Sequence, residues 1–128
     1  MKKRISGFFI AAILMAMVMP AQAAVLHIWA CTAHDGKSAE DVQAVSAAWL
    51  KAAKSMDGGA DLQVILTTPF AAEGDTGTFN FVVIAPSHGA YGTFNDGYEG
   101  SAAQKADAGF AGVAACSGST IWESNPVE

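Results

Sequence analysis

His27, Trp29 and Cys31 occupy alternate positions in the stretch HIWACTAHDGKSAEDV. On an extended chain their imidazole, indole and sulfur therefore share one side. An imidazole titrates near neutrality and can shuttle a proton or contact a ligand. An indole adds a large apolar surface with one N–H donor. The sulfur has two competing uses. Cys31 with His34 and His88 would offer copper or zinc a thiolate and imidazoles. Cys31 and Cys116 are, however, the only two cysteines, and an even count in an exported chain points to a disulfide, which consumes the thiolate. CTAH also lacks the CxxCH spacing of covalent haem attachment. No metal site and no cofactor are expected; haem or metal binding through His27 or His88 is the lesser reading.

A second chemistry-bearing stretch is PSHGAYGTFNDGYEG, Pro86 to Gly100, which sets His88, Tyr91, Phe94 and Tyr98 among glycines. It reads as a mostly irregular loop able to fold over a pocket. Glu73 and Asp75 in AAEGDTG are a pair of loop-tip carboxylates of the kind usually solvated. The chain contains no Gly-x-Ser-x-Gly, phosphate-binding loop or His-Glu-x-x-His stretch.

The compartment follows from the first residues. Lys2, Lys3 and Arg4 precede an apolar run from Phe8 to Met19, and PAQA ends at Ala23. This is the pattern of a secretory signal peptide over residues 1–23. The run is too short for an anchor, since a dozen residues at about 1.5 Å each fall well short of a hydrocarbon core about 30 Å thick. Trp29 stands where a lipobox ahead of Cys31 would need small residues. A periplasmic or secreted protein with no membrane attachment after cleavage is expected. Cleavage leaves 105 residues, enough for a single domain over residues 24–128, and takes the net charge from −5 to −8. Only Lys37, Lys51, Lys54 and Lys105 then remain as cations. Nucleic acid and anionic membrane surfaces are excluded as partners on this charge.

The elements that must position these residues are legible from periodicity. AVLHIWACT (Ala24 to Thr32) alternates as a strand and ends at the turn AHDGK. Ser38, with Asp41 three residues on, caps a helix whose apolar face is Val42, Val45, Trp49, Ala52 and Met56; DGG from Asp57 ends it. DLQVILTTPF and TFNFVVIA are the second and third strands. Ser101 to about Val113 is a second helix, and CSGSTIWE from Cys116 is a fourth strand. The order gives an α+β fold, a ferredoxin-like βαββαβ sandwich of four antiparallel strands with two helices on one face. In it the first strand lies beside the last, which brings Cys31 level with Cys116.

Alternation divides each strand into two sets. Leu26, Ile28 and Ala30 with Leu62, Val64, Leu66, Phe79, Phe81, Val83 and Ile121 form the set expected beneath the helices. The opposite face is expected to carry Val25, His27, Trp29 and Cys31, Gln63, Ile65 and Thr67, Asn80, Val82 and Ile84, and Cys116, Gly118, Thr120 and Trp122. Pairing the cysteines sets Trp29 across from Gly118, His27 across from Thr120 and Val25 across from Trp122. Such an amphipathic face with two tryptophans meets either a second subunit or a small ligand.

WACTAHDGKSAEDV leading into a helix with Trp49, together with FNFVVI, resembles the dimeric α/β-barrel superfamily. The resemblance implies ferredoxin-like subunits that pack sheet to sheet and enclose a pocket. That superfamily includes stress-responsive proteins of unknown function, cofactor-independent monooxygenases and haem enzymes, so it implies a fold rather than a reaction. No matched motif carries a catalytic residue over, and an exported member with a disulfide departs from the mostly cytoplasmic pattern. The expected role is a non-enzymatic binding or interaction module, homodimeric through the sheet face. Its small hydrophobic ligand would contact His27, Trp29, Gln63, Asn80, His88, Tyr91, Thr120 and Trp122. The alternative is a cofactor-independent monooxygenase or isomerase using His27 with Asn80.

Overall fold

The computed structural model describes residues 23–69 and 77–127. The expected signal segment, up to Gln22, and the loop carboxylates Glu73 and Asp75 lie outside the described residues. The chain runs β1 (Ala24–Ala33), α1 (Ala39–Lys54), β2 (Gln63–Thr67), β3 (Thr78–Ala85), α2 (His88–Asp96), α3 (Ala102–Ala111) and β4 (Ala114–Ser124). Its strands form one antiparallel sheet in the order β2-β3-β1-β4, the ferredoxin-like arrangement. No helix among the described residues is long and apolar enough to cross a membrane.

Each helix starts at a serine. Ser38 accepts from the Asp41 amide at 3.2 Å, while its own amide donates to the Asp41 carboxylate at 2.8 Å, a complete capping box. Val42, Ser46, Trp49 and Ala53 make the buried stripe of α1. Ser46 is tolerated there because its hydroxyl donates to the Val42 carbonyl at 2.7 Å. Ser87 and Ser101 accept in the same way from Ala90 and Gln104, each at 3.1 Å.

Two helices were expected and three are present among the described residues. α2 occupies the stretch expected to be mostly loop, because Ser87 supplies a cap and Tyr91 and Phe94 then fall on one helical face. The turn after α1 seats it. Gly58 has a φ of 75°, and a Cβ there would lie 2.5 Å from the Ala90 carbonyl oxygen, so only glycine lets this turn lie against α2.

The largest correction concerns β1. Val25, His27, Trp29 and Cys31 pair with Ala85, Val83, Phe81 and Phe79 of β3. These strand residues face the helices, and all but His27 belong to, or pack on, the core that includes Val42, Trp49 and Phe94. The imidazole and indole therefore point beneath the helices, and Leu26, Ile28 and Ala30 lie on the outer face. Both alternating sets of β1 are apolar enough to bury, so hydrophobicity alone does not choose between them; registry with β3 does.

Cys31 and Cys116 form a disulfide, directly opposite one another in the β1–β4 ladder. Beyond it the expected register is off by one. Trp29 faces Ser119, His27 faces Ile121 and Val25 faces Glu123. Between the cysteine pair and the Trp29–Ser119 pair, β4 holds two residues, Ser117 and Gly118, against the single Ala30 of β1. Gly118 has a φ of 74°, the conformation that a glycine bulge uses. The bulge leaves Cys116 on the helix side while Thr120 and Trp122 stand on the outer face, so those three do not share a side as expected.

Candidate functional site

β1 and β3 supply the floor of a cavity of about 370 Å³, and the helices supply its roof. His27 and Trp29 stand side by side on that floor. Their rings stack with centroids 3.6 Å apart and planes inclined by 28°. Tyr91 comes down from α2, and its hydroxyl lies 2.9 Å from Nδ1 of His27. The other ring nitrogen, Nε2, is buried with no hydrogen-bond partner. An unsatisfied buried polar atom costs about 1–3 kcal/mol, a cost native folds rarely leave standing.

Burial lowers the His27 pKa and raises that of Tyr91, because each loses solvent for its charged form. The imidazole is thus held neutral. An ordinary histidine pKa is about 6.5. As pH falls below that value the unfolded chain takes up a proton that folded His27 resists, so its contribution to stability is complete at higher pH and declines on acidification. Urea midpoints measured between pH 7.5 and 5.5 should therefore fall more for the wild type than for His27→Gln. Equal declines would show that His27 is not held neutral by the fold.

At the other end of the cavity the indole N–H of Trp49 on α1 donates to the Tyr98 hydroxyl at 3.2 Å. That hydroxyl donates in turn to the Asp107 carboxylate on α3. Tyr98 follows α2, so this chain ties all three helices at one point. Burial and the adjacent Asp107 carboxylate hold the Tyr98 phenol protonated. Between the two polar ends the walls are aromatic, with Trp49, Phe81, Phe94 and Phe110 meeting at centroid distances of 5.0–5.9 Å. Aromatic walls with a few fixed polar groups are what small-molecule sites are built from.

The residues singled out from sequence divide among three places. His27, Trp29 and Tyr91 meet in the cavity. Gln63, Asn80, Thr120 and Trp122 lie on the outer face, where Asn80 donates to the Thr67 hydroxyl at 3.1 Å and Trp122 to the Thr120 hydroxyl at 2.9 Å. Asn80 therefore stands across the sheet from His27 and cannot share a reaction with it in one subunit. His88 is at the surface, 3.2 Å from the Glu123 carboxylate. His34, also exposed, sits 3.0 Å from the Ala111 carbonyl. Among the described residues no group of three or more His, Cys, Asp or Glu is placed to hold a metal ion.

Sequence reasoning took Trp49 and Phe81 as plain core and did not single out Asp107. A signal for the roof was present: Tyr91, Phe94 and Tyr98 recur at spacings of three and four, the signature of a helical face. The glycines between them obscured it.

No protein-family model matches the chain, and no curated protein is similar to it in sequence. Solved structures are similar in fold. SnoaB of Streptomyces nogalater, described as a cofactor-independent oxygenase, superposes with a TM-score of 0.51 at 8% identity, over 82% of this chain and 96% of that one. PA3566 of Pseudomonas aeruginosa gives a TM-score of 0.50 at 14% identity, over 84% and 98%. A Thermobifida fusca protein described as dimeric, ferredoxin-like and of unknown function gives 0.49 at 15% identity, over 80% and 90%. At these identities the likeness shows the fold alone: this chain is an α+β ferredoxin-like domain.

Proposed function

We propose that the mature protein is an exported binding domain that holds one small hydrophobic molecule between its sheet and its helices. The cavity carries this reading: about 370 Å³, walled by aromatic rings, with a buried His27 nitrogen left without a partner. Pockets of that volume suit molecules of drug-fragment size and larger. Export is supported by the basic and apolar leader sequence and by the disulfide. N-phenyl-1-naphthylamine, a neutral fluorescent apolar probe, should bind saturably at one site per chain, with energy transfer from tryptophan. An unsaturable signal, or none, would contradict a binding role for the cavity.

The outer face supports a homodimer. Leu26, Ile28, Ile65, Ile84 and Trp122 lie on it around the buried Val82, with no helix of the described residues above them. Ile65 is 44% and Trp122 60% exposed. Lone exposed apolar residues are ordinary, but a contiguous apolar sheet face is a surface that another protein covers. A second copy presents the same face and can cover it by a two-fold axis.

A cofactor-independent oxygenase or isomerase is the second reading, and the His27–Tyr91 pair is the observation favouring it. A neutral imidazole anchored by a phenol inside an apolar cavity is a competent general base for a bound carbon or oxygen acid. Turnover abolished by His27→Gln with probe binding kept would establish this reading over simple binding.

A further inference from the structure

The ligand's charge is written in the same cavity, given the reading of it as a binding site. Its walls include Trp29, Trp49, Phe81, Tyr91, Phe94 and Phe110. Neighbouring rings meet tilted or edge to face, at 56–90°, in the contacts joining Trp29, Trp49, Phe81, Phe94 and Phe110, and all five line the one cavity. Aromatic faces carry a negative quadrupole and favour a cation over a neutral group of the same shape. Asp107, exposed at the edge of α3, is also among the residues lining the cavity. Tyr98 holds one of its oxygens, and Tyr98 is itself held by Trp49, so the negative charge is fixed in place.

Opposing charge is missing from these walls. No lysine or arginine among the described residues lines the cavity. His27, which does, is kept neutral by burial. The chain's net negative charge adds a long-range attraction for cations. A carboxylate or phosphate ligand would meet Asp107 with nothing to neutralise it. A neutral hydrocarbon would gain from area alone and use neither the carboxylate nor the ring quadrupoles.

We infer that the cavity takes a small lipophilic cation, an organic ammonium group seated among the aromatic rings with Asp107 as its counter-charge. The structure thereby assigns Asp107 as the residue that determines ligand specificity, and Tyr98 as the group that positions it.

Two probes of equal shape test this on the full oxidised protein. Benzyltrimethylammonium and its carbon isostere neopentylbenzene differ only in charge, and each is titrated against bound N-phenyl-1-naphthylamine. The cation should bind tighter than the isostere by about tenfold or more, the scale of a desolvated cation–aromatic contact. Asp107→Asn, which keeps an acceptor for Tyr98, should lower that ratio several-fold through the cation's affinity. Equal affinities, or a tighter isostere, would overturn the cation assignment and leave the cavity as a neutral site. An unchanged ratio in Asp107→Asn would remove the carboxylate from the account. Failure of all three probes to bind would overturn the binding site itself, a distinct result because the naphthylamine carries no charge.

Discussion

Replacing both cysteines, as Cys31→Ser with Cys116→Ser, should lower the unfolding free energy by about 4 kcal/mol relative to the oxidised protein. The bridge closes a loop between residues 85 apart in sequence. In the chain-entropy treatment a loop of that length is worth roughly 4–5 kcal/mol, obtained by restricting the unfolded chain. Domains of this size are stable by only about 5–15 kcal/mol in all, so the loss is a large share of the total. The location adds to the effect. Beyond Ala114 every described residue of β4 is exposed, and among the described strands it pairs only with β1. Its attachment thus depends on the β1 ladder and the disulfide, with little packing from above. Urea unfolding of the oxidised protein, the reduced protein and the double variant measures the term. A midpoint unmoved by reduction would show that the bridge is incidental to stability.

The second large effect is on association. Ile28→Glu places a charge at the middle of the outer face, on a central strand, among Val82 and Thr120. In a monomer that position is half-buried and still open to solvent in part. In a sheet-to-sheet dimer it would be buried, and its copy would approach it from the partner, so both desolvation and like charge oppose assembly. The wild type should sediment as a dimer at micromolar concentration and the variant as a folded monomer. A monomeric wild type would contradict the proposed interface, and so would a variant that remained dimeric. Because the outer face and the cavity lie on opposite sides of the sheet, Ile28→Glu should leave the naphthylamine site occupied as in the wild type.

What the sequence disclosed follows a physical division. Element order, the capped first helix and the cysteine pairing were legible because each rests on a local pattern: alternation, an N-cap three residues ahead of a carboxylate, and a fixed neighbour relation between first and last strands. The face of β1 was not. Val25, Trp29 and Cys31 are as apolar as Leu26, Ile28 and Ala30, and the choice between them is made by pairing with Phe79, Phe81 and Ala85 of β3. The bulge at Gly118 compounds this, since one inserted residue moves the rest of a strand to the other side. SGS within CSGST was its only local trace.

The same division explains the site. His27, Trp29 and Tyr91 stood out as residue types able to do chemistry, and they do meet. Their setting was assigned to the wrong side of the sheet, which grouped His27 with Asn80 and Trp122 in place of Trp49 and Tyr98. Asp107 lies on the helix that seats it by the cavity mouth, in an Ala-rich stretch with no motif around it. Its role emerges only when Tyr98 and Trp49 are brought alongside.

The chain's three tryptophans offer the most direct measurement of where a ligand sits. Trp29 and Trp49 line the cavity, whereas Trp122 stands on the opposite side of the sheet. Their indole N–H signals, resolved by nitrogen-15 NMR during titration with N-phenyl-1-naphthylamine, report each location separately. Movement of the Trp29 and Trp49 signals with Trp122 unmoved is the predicted result. Movement of Trp122 with the other two stationary would place binding on the outer face and contradict the account.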